Sequence, residues 1–425
     1  MHTVSVPRAA SAAFAWFRAE RRRESVGDIP TESRKHAPDE DVPRNAVVAF
    51  AARVRLDTRL GAVDGMRGLA ILLVLAHHYG RSTRNFGFSN PLLSVSEIGW
   101  IGVDLFFVLS GFLITGILNN TRDSTQFFSK FYTRRALRIL PLYYGAFLLV
   151  SAIAAMWPDL ELLGSAHPLW TLLYMPNIVQ AIEGGYATGI LGHFWSLAIE
   201  EHFYIVWPLV VFLVAPRRQT YIAVGMIAFS TALRVALRVA DVDPGAVYTL
   251  TFTRLDGLAI GALCSLVVRS PEIGSAALRH APIALAGGGV GLLLIALLRG
   301  TVRYVDPVMG TVGFTCLAIG CGGALLTVLG RATVRRLFES RVLRWFGTYS
   351  YGIYVWHPIV NGLLFNESVR VRLGMEGPLG LAACLIVAFG LTLVVSQASY
   401  VLLERPLLQQ KRRFSYRRTV QRLAA

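Results

Sequence analysis

Ten times in 425 residues the chain runs apolar for about twenty residues, and that repetition limits its fold more than any other feature. A helix rising 1.5 Å per residue needs about 20 residues to cross a hydrocarbon layer about 30 Å thick. Inside such a layer the backbone has no water to bond, so a spanning block must be a helix. The blocks predict spans over 68–81, 98–118, 139–158, 193–215, 220–237, 249–268, 282–298, 309–330, 345–365 and 379–403. The first is short, and its helix is expected to start earlier, near Ala62. The segment 164–182 is also apolar, but Pro168, Pro176 and the nearby Gly184-Gly185 favour a re-entrant or interfacial segment over a free helix. The expected fold is an all-α membrane protein of about ten transmembrane helices with no fused soluble catalytic domain. Its expected parts are a basic, partly disordered cytoplasmic extension (1–60), a transmembrane domain (61–406) and a basic cytoplasmic tail (407–425). Residues 46–60 are a candidate for a helix lying on anionic lipid.

Charge tests the count. A formal balance of +16 would suit a nucleic-acid binder, but the basic residues follow the predicted loops and do not form one patch. With ten spans and a cytoplasmic N-terminus, 33 of the 42 Lys and Arg fall on the cytoplasmic side and 7 outside. The positive-inside rule demands that asymmetry, and an eleventh span at 164–182 would invert it downstream. The expectation is a multi-pass protein of the cell (cytoplasmic) membrane with both ends cytoplasmic, embedded in lipid and without a nucleic-acid partner. Cys264, Cys316, Cys321 and Cys384 all fall within spans without metal-ligand spacing, which reads as packing and gives no metal site.

The informative residues are polar ones at membrane depth, where a charge costs roughly 2.5–3.5 kcal/mol even on lenient scales. They are His77, His78, Asp104, Glu200, Glu201, Arg254, Asp256 and His357. Arg254 and Asp256 could simply pair with each other, and His357 could be a packing residue bonded to a tyrosine of its aromatic run. Helical rise, however, places His78, Asp104, the two glutamates and His357 roughly 16–20 Å from the cytoplasmic face, in one layer. A shared polar chamber explains that convergence. Eleven residues separate Arg67 from His78, about three turns plus 20°, so the two share a helix face about 16 Å apart, while His77 points about 100° away.

The strings DGMRGLAILLVLAHH, GVDLFFVLSGFLIT, FYTRRALRILPLYY, HFWSLAIEEHFYIVWP, RLDGLAIGAL, YSYGIYVWHP and SYVLLERP occur in this order from about residue 62 to residue 406. Together they resemble the successive motifs of the acyltransferase-3 family, membrane-bound O-acyltransferases of sugars and related hydroxyl compounds. The family's arginine and histidine, separated by ten residues, fall on Arg67 and His78. Its basic pair falls on Arg135 and Arg138, and its Trp-Ser with paired acids on Trp195, Ser196, Glu200 and Glu201. The resemblance implies an acyl-CoA donor, with acetyl-CoA the commonest, used as co-substrate with no bound cofactor. It also implies a carbohydrate or glycolipid acceptor, and His78 as the essential residue. The sequence departs from larger members in lacking their extracytoplasmic esterase-like domain and in carrying the long N-terminal extension.

The chemistry of the residues agrees. A sugar hydroxyl needs a base, and histidine suits that task near neutral pH. A carboxylate can orient the imidazole, and Asp104, Glu200 and Glu201 are all candidates, with depth alone choosing none of them. Arg67, Arg135 and Arg138 suit the phosphates of coenzyme A through paired hydrogen bonds. Arg254, Asp256, Tyr354 and His357 are expected to support the site. The rival expectation is a proton-coupled transporter or flippase of a sugar-containing substrate, since buried carboxylates and histidines also build proton relays. Against it stands the lack of a repeated half of the kind many transporters show.

Overall fold

The structure, a computed structural model, describes residues 60–84, 96–184, 187–270 and 273–414. Residues 1–59 of the expected extension and most of the tail therefore lie outside the described residues. Among the described residues ten long helices carry the fold: α1 (Gly61–Arg84), α2 (Ile101–Thr121), α3 (Phe127–Met156), α4 (Phe194–Leu213), α5 (Pro216–Val239), α6 (Leu255–Arg269), α7 (Gly274–Arg299), α8 (Phe314–Gly330), α9 (Arg341–Leu364) and α10 (Gly377–Ser399). No strand occurs among the described residues. Each helix answers to one predicted block, and seven of the ten, with their flanking turns, are long and apolar enough to cross a membrane. The three that fall short are α1, α6 and α9, which hold Arg67 and His78, Asp256, and Tyr354 and His357.

Local chemistry sets the boundaries. Pro216 opens α5 at a position where its missing N–H costs nothing, and Gly300 closes α7 with a φ of 68°. The predicted sixth span is broken. Pro244–Thr249 forms its own short helix, capped by Asp243 accepting from the backbone of Gly245 and Ala246, and α6 starts only at Leu255. Arg254 is thus the residue capping α6 and lies outside the helix. α3 begins twelve residues before its predicted start, so Arg135 and Arg138 ride on the helix itself. The ambiguous segment 164–182 contains only the short helices Leu169–Leu172 and Pro176–Glu183. The longer, of 8 residues, reaches about 12 Å, too little to span.

Two interfaces organise the interior. α1 lies along α9, and α2 lies along α6. Both are backbone-close because glycine faces a main-chain carbonyl. A Cβ on Gly68 would stand 2.0 Å from the Leu343 carbonyl, and one on Gly111 2.0 Å from that of Leu258. Small residues of this kind let helices associate in lipid, where apolar side chains gain little from leaving the solvent. The glycines flanking Arg67 therefore seat α1, and with it Arg67, directly against α9.

Candidate functional site

A cavity of about 280 Å³ opens between α1, α2, α3, α4, α6 and α9. One end carries cations: Arg67 from α1, Arg135 and Arg138 from α3, and Arg269 from the end of α6. Its wall holds Ser110, Glu200, Glu201 and Tyr204, and it reaches Ser196 and Tyr354. Three helices, α1, α3 and α4, thus bring Arg67, Arg135 and Arg138, expected at the donor, into one space with Glu200 and Glu201, expected in the polar layer.

Within the cavity the acids are managed differently. Glu200 accepts from the Ser110 hydroxyl at 2.9 Å and from the Tyr204 hydroxyl, one turn along α4, also at 2.9 Å. Glu201 keeps one buried oxygen, Oε1, without a hydrogen bond. The Arg135 guanidinium lies 5.4 Å from the Tyr204 ring, so Tyr204 serves both charges, holding Glu200 with its hydroxyl and Arg135 with its face. Arg67 stands within electrostatic reach of Arg138, Asp64 and Glu200.

At the far end Ser196 Oγ and Tyr354 Oη are 2.5 Å apart, and the Tyr354 hydroxyl also donates to the His193 carbonyl at 3.0 Å. Behind this pair stands a cluster of imidazoles. The ring of Tyr354 is 5.7 Å from that of His357, and His357 is 4.8 Å edge-on from His78. His193 lies 5.9 Å from His357, and His77 lies 5.4 Å from His78. His78 itself does not line the cavity; it is one imidazole beyond Tyr354. Its Nδ1 is 3.0 Å from the Val74 carbonyl, one turn back on α1. A carbonyl only accepts, so Nδ1 carries the proton and Nε2 presents its lone pair. His77 turns away and donates from Nδ1 to the Glu97 carbonyl at 3.1 Å, as its place on the helix requires. His357 is fully buried, donates from Nδ1 to Ile353 at 2.9 Å, and leaves Nε2 without a hydrogen bond.

Two of the three acids expected beside His78 are bonded elsewhere. Asp104 pairs with Arg254 at 2.6 Å, and Glu200 is held by Ser110 and Tyr204. Glu201 faces the cavity. The ring packed on His78 is an imidazole, that of His357. The pairing of Arg254 with Asp256 is also replaced. Asp256 bridges instead to Arg234 of α5 at 2.8 Å, and the two ion pairs lie side by side, all four residues buried. Starting one residue before the helix, Arg254 points across to α2 and over the Phe314 ring at 3.9 Å, while Asp256 turns toward α5 and α8, accepting also from Thr315. These pairs lock α2, α5, α6 and α8 and stand apart from the arginine cavity.

Sequence reasoning missed Arg269, which looked like one more basic anchor, and Glu404, buried at the end of α10. Glu404 ends a π turn over Tyr400–Glu404 and lies within electrostatic reach of Arg138 and Arg67. The SYVLLERP string was the available signal, since a π turn in an apolar helix frequently marks a functional position. All four cysteines are free thiols, Cys264 and Cys384 buried.

Comparison with known proteins adds to this geometry. The peptidoglycan O-acetyltransferase of Listeria monocytogenes is 32% identical over 318 residues, covering 70% of this chain and 49% of that protein. A putative peptidoglycan O-acetyltransferase of Bacillus subtilis is 29% identical over 386 residues, covering 85% of this chain and 57% of its own length. A putative O-acetyltransferase of Staphylococcus aureus is 24% identical over 360 residues, 81% of this chain and 56% of the relative. The chain thus spans about half the length of the curated relatives it matches. No solved structure matches it. The family described as "Acyltransferase domain" matches residues 60–397, from the first turn of α1 into α10 and across every residue of the cavity. The chain therefore belongs to the acyltransferase-3 family.

Proposed function

We propose that the protein is a membrane O-acyltransferase that moves an acyl group, in the first instance acetyl, from a coenzyme A thioester to a hydroxyl of a carbohydrate acceptor. The observation that carries the reading is the layout of one cavity. Arginines line one end, Ser196 and Tyr354 the other, and His78 stands behind them with Nε2 available. Guanidinium groups suit the phosphates of the donor, and the distance from Arg67 to His78 along α1, about 16 Å, suits a carrier whose reactive end lies far from its charged end. The relatives named as peptidoglycan O-acetyltransferases support a glycan hydroxyl as the acceptor.

His78 Nε2 takes the proton of the acceptor hydroxyl as the oxygen attacks the thioester carbonyl. The C–O bond forms, the C–S bond breaks, and the imidazolium returns its proton to the leaving thiolate. The Nδ1–H bond to Val74 fixes the tautomer this requires, the task a carboxylate performs in other histidine sites. Glu200 and Glu201 act in the donor channel, where they face Arg67 and Arg135 and hold them in place. Asp104, Arg254 and Asp256 support the site by fixing the helices around it, and His357 by holding the His78 ring.

The charge asymmetry of the sequence supports an orientation with the arginine end and both termini in the cytoplasm, where acyl-CoA is made. The test is direct. Purified protein in detergent, given acetyl-CoA and a glycan fragment, should release free thiol in step with acetylated glycan. Acetyl transfer that proceeds from a donor without phosphates, with no use of acetyl-CoA, would remove the donor assignment.

A further inference from the structure

Arg269 ends α6 at the cationic end of the cavity. Its Nη1 donates to the Ser265 carbonyl at 2.8 Å and to the Ser265 hydroxyl at 2.5 Å, one turn back on the same helix. Its Nε and Nη2 are buried and have no hydrogen-bond partner. Those two N–H groups lie on the same edge of the guanidinium plane, the edge that grips two oxygens of one phosphate or carboxylate at once. Leaving both buried and unmet is costly unless a ligand meets them. Gly116 of α2, which also lines the cavity, packs closely on the guanidinium: a Cβ there would stand 2.4 Å from Nη2 and 3.1 Å from Cζ.

We propose that Arg269 is a preorganised phosphate fork of the donor site, with Ser265 fixing its plane and Gly116 giving the guanidinium the room it needs. This rests on the reading of the cavity as the site of a phosphate-bearing donor, and adds a ligand that no motif assigns. Arg67, Arg135 and Arg138 come from α1 and α3, so a fork on α6 adds a grip from a third helix. It acts by hydrogen-bond geometry as well as charge, which separates it from a basic anchor at a helix end. An anchor needs only a cation, and lysine would serve.

The experiment is calorimetric binding of coenzyme A to the purified full chain in detergent, with Arg269→Ala, Arg269→Lys, Gly116→Ala and Arg138→Ala compared. Loss of a charged two-point contact should weaken binding by roughly ten- to a hundredfold. Arg269→Lys should be nearly as weak as Arg269→Ala, because lysine cannot reproduce the fork. Gly116→Ala keeps every charge, yet should weaken binding about tenfold by pushing a methyl group against the fork. Arg269→Lys and Gly116→Ala binding like the parent, while Arg138→Ala is weakened, would overturn the fork and leave the donor site standing. A folded parent that binds no coenzyme A would overturn the donor reading and the fork with it.

Discussion

α5 and α7 on one side, and α1, α6 and α9 on the other, solve opposite problems with the same secondary structure. α5 and α7 each hold an apolar window long enough to span, and only 17% of that window is buried within the protein. Leu293, Leu294, Leu297 and Leu298 of α7 all face outward. α1, α6 and α9 fall short of a span, α6 by its length of 15 residues, yet they pack against partner helices through glycine contacts and enclose His357, Asp256 and the cavity. In a soluble protein the polar helices would be at the surface. Here lipid is the solvent, so apolar side chains face out and the polar groups turn inward to one another and to the cavity. The failure of three helices to look like spans is therefore itself a pointer to the site.

That contrast can be broken most severely at the buried ion pairs. Asp104→Ala leaves Arg254 buried and without its carboxylate, and should destabilise the folded protein by about 3–5 kcal/mol. The double replacement Asp104→Leu with Arg254→Met should recover most of this loss. Thermal unfolding in detergent checks both, and a single variant as stable as the parent would show that these charges do not hold the interior helices. Next comes Arg138→Ala, expected to raise the KM for acetyl-CoA by about ten- to a hundredfold, with kcat little changed, since phosphate lies far from the reacting bond. A collapse of kcat at constant KM would move Arg138 from binding to chemistry. Tyr354→Phe removes the hydroxyl between Ser196 and the His193 carbonyl but keeps the ring. It should cost about 1–3 kcal/mol in stability, measured by the same melts, because two neutral hydrogen bonds are lost. The smallest effect belongs to the outer helices: Leu297→Ala on α7 should change stability by less than about 0.5 kcal/mol. A large loss there would mean that α7 packs against another protein surface where we place lipid.

The helical blocks and their order were legible in the sequence because each lipid-facing helix must be apolar on its own account. Arg67, Arg135 and Arg138 were legible as basic residues facing a donor through the motifs they sit in, and Glu200 and Glu201 through helical rise, which set them at one depth with His78, Asp104 and His357. What depth cannot supply is rotation about the helix axis and the identity of the neighbour. Asp104 and Arg254 are separated by 150 residues, and the broken start of α6 decides that Arg254 meets Asp104 while Asp256 meets Arg234. The same gap hid the role of His357, whose ring occupies the place beside His78 that an acid was expected to fill. Arg269 was hidden for another reason. A ligand arginine and a positive-inside anchor look the same in sequence, and only the unmet edge of its guanidinium tells them apart.

The central claim is that one histidine of the adjacent pair does the chemistry while the other holds structure. The measurement is single-turnover acetyl transfer from acetyl-CoA to a glycan fragment by purified, correctly folded His78→Ala and His77→Ala. A general base contributes typically 10²–10⁴-fold, so His78→Ala should be slowed by about that factor, and His77→Ala should stay within about threefold of the parent. Near-parental transfer by His78→Ala would contradict the account.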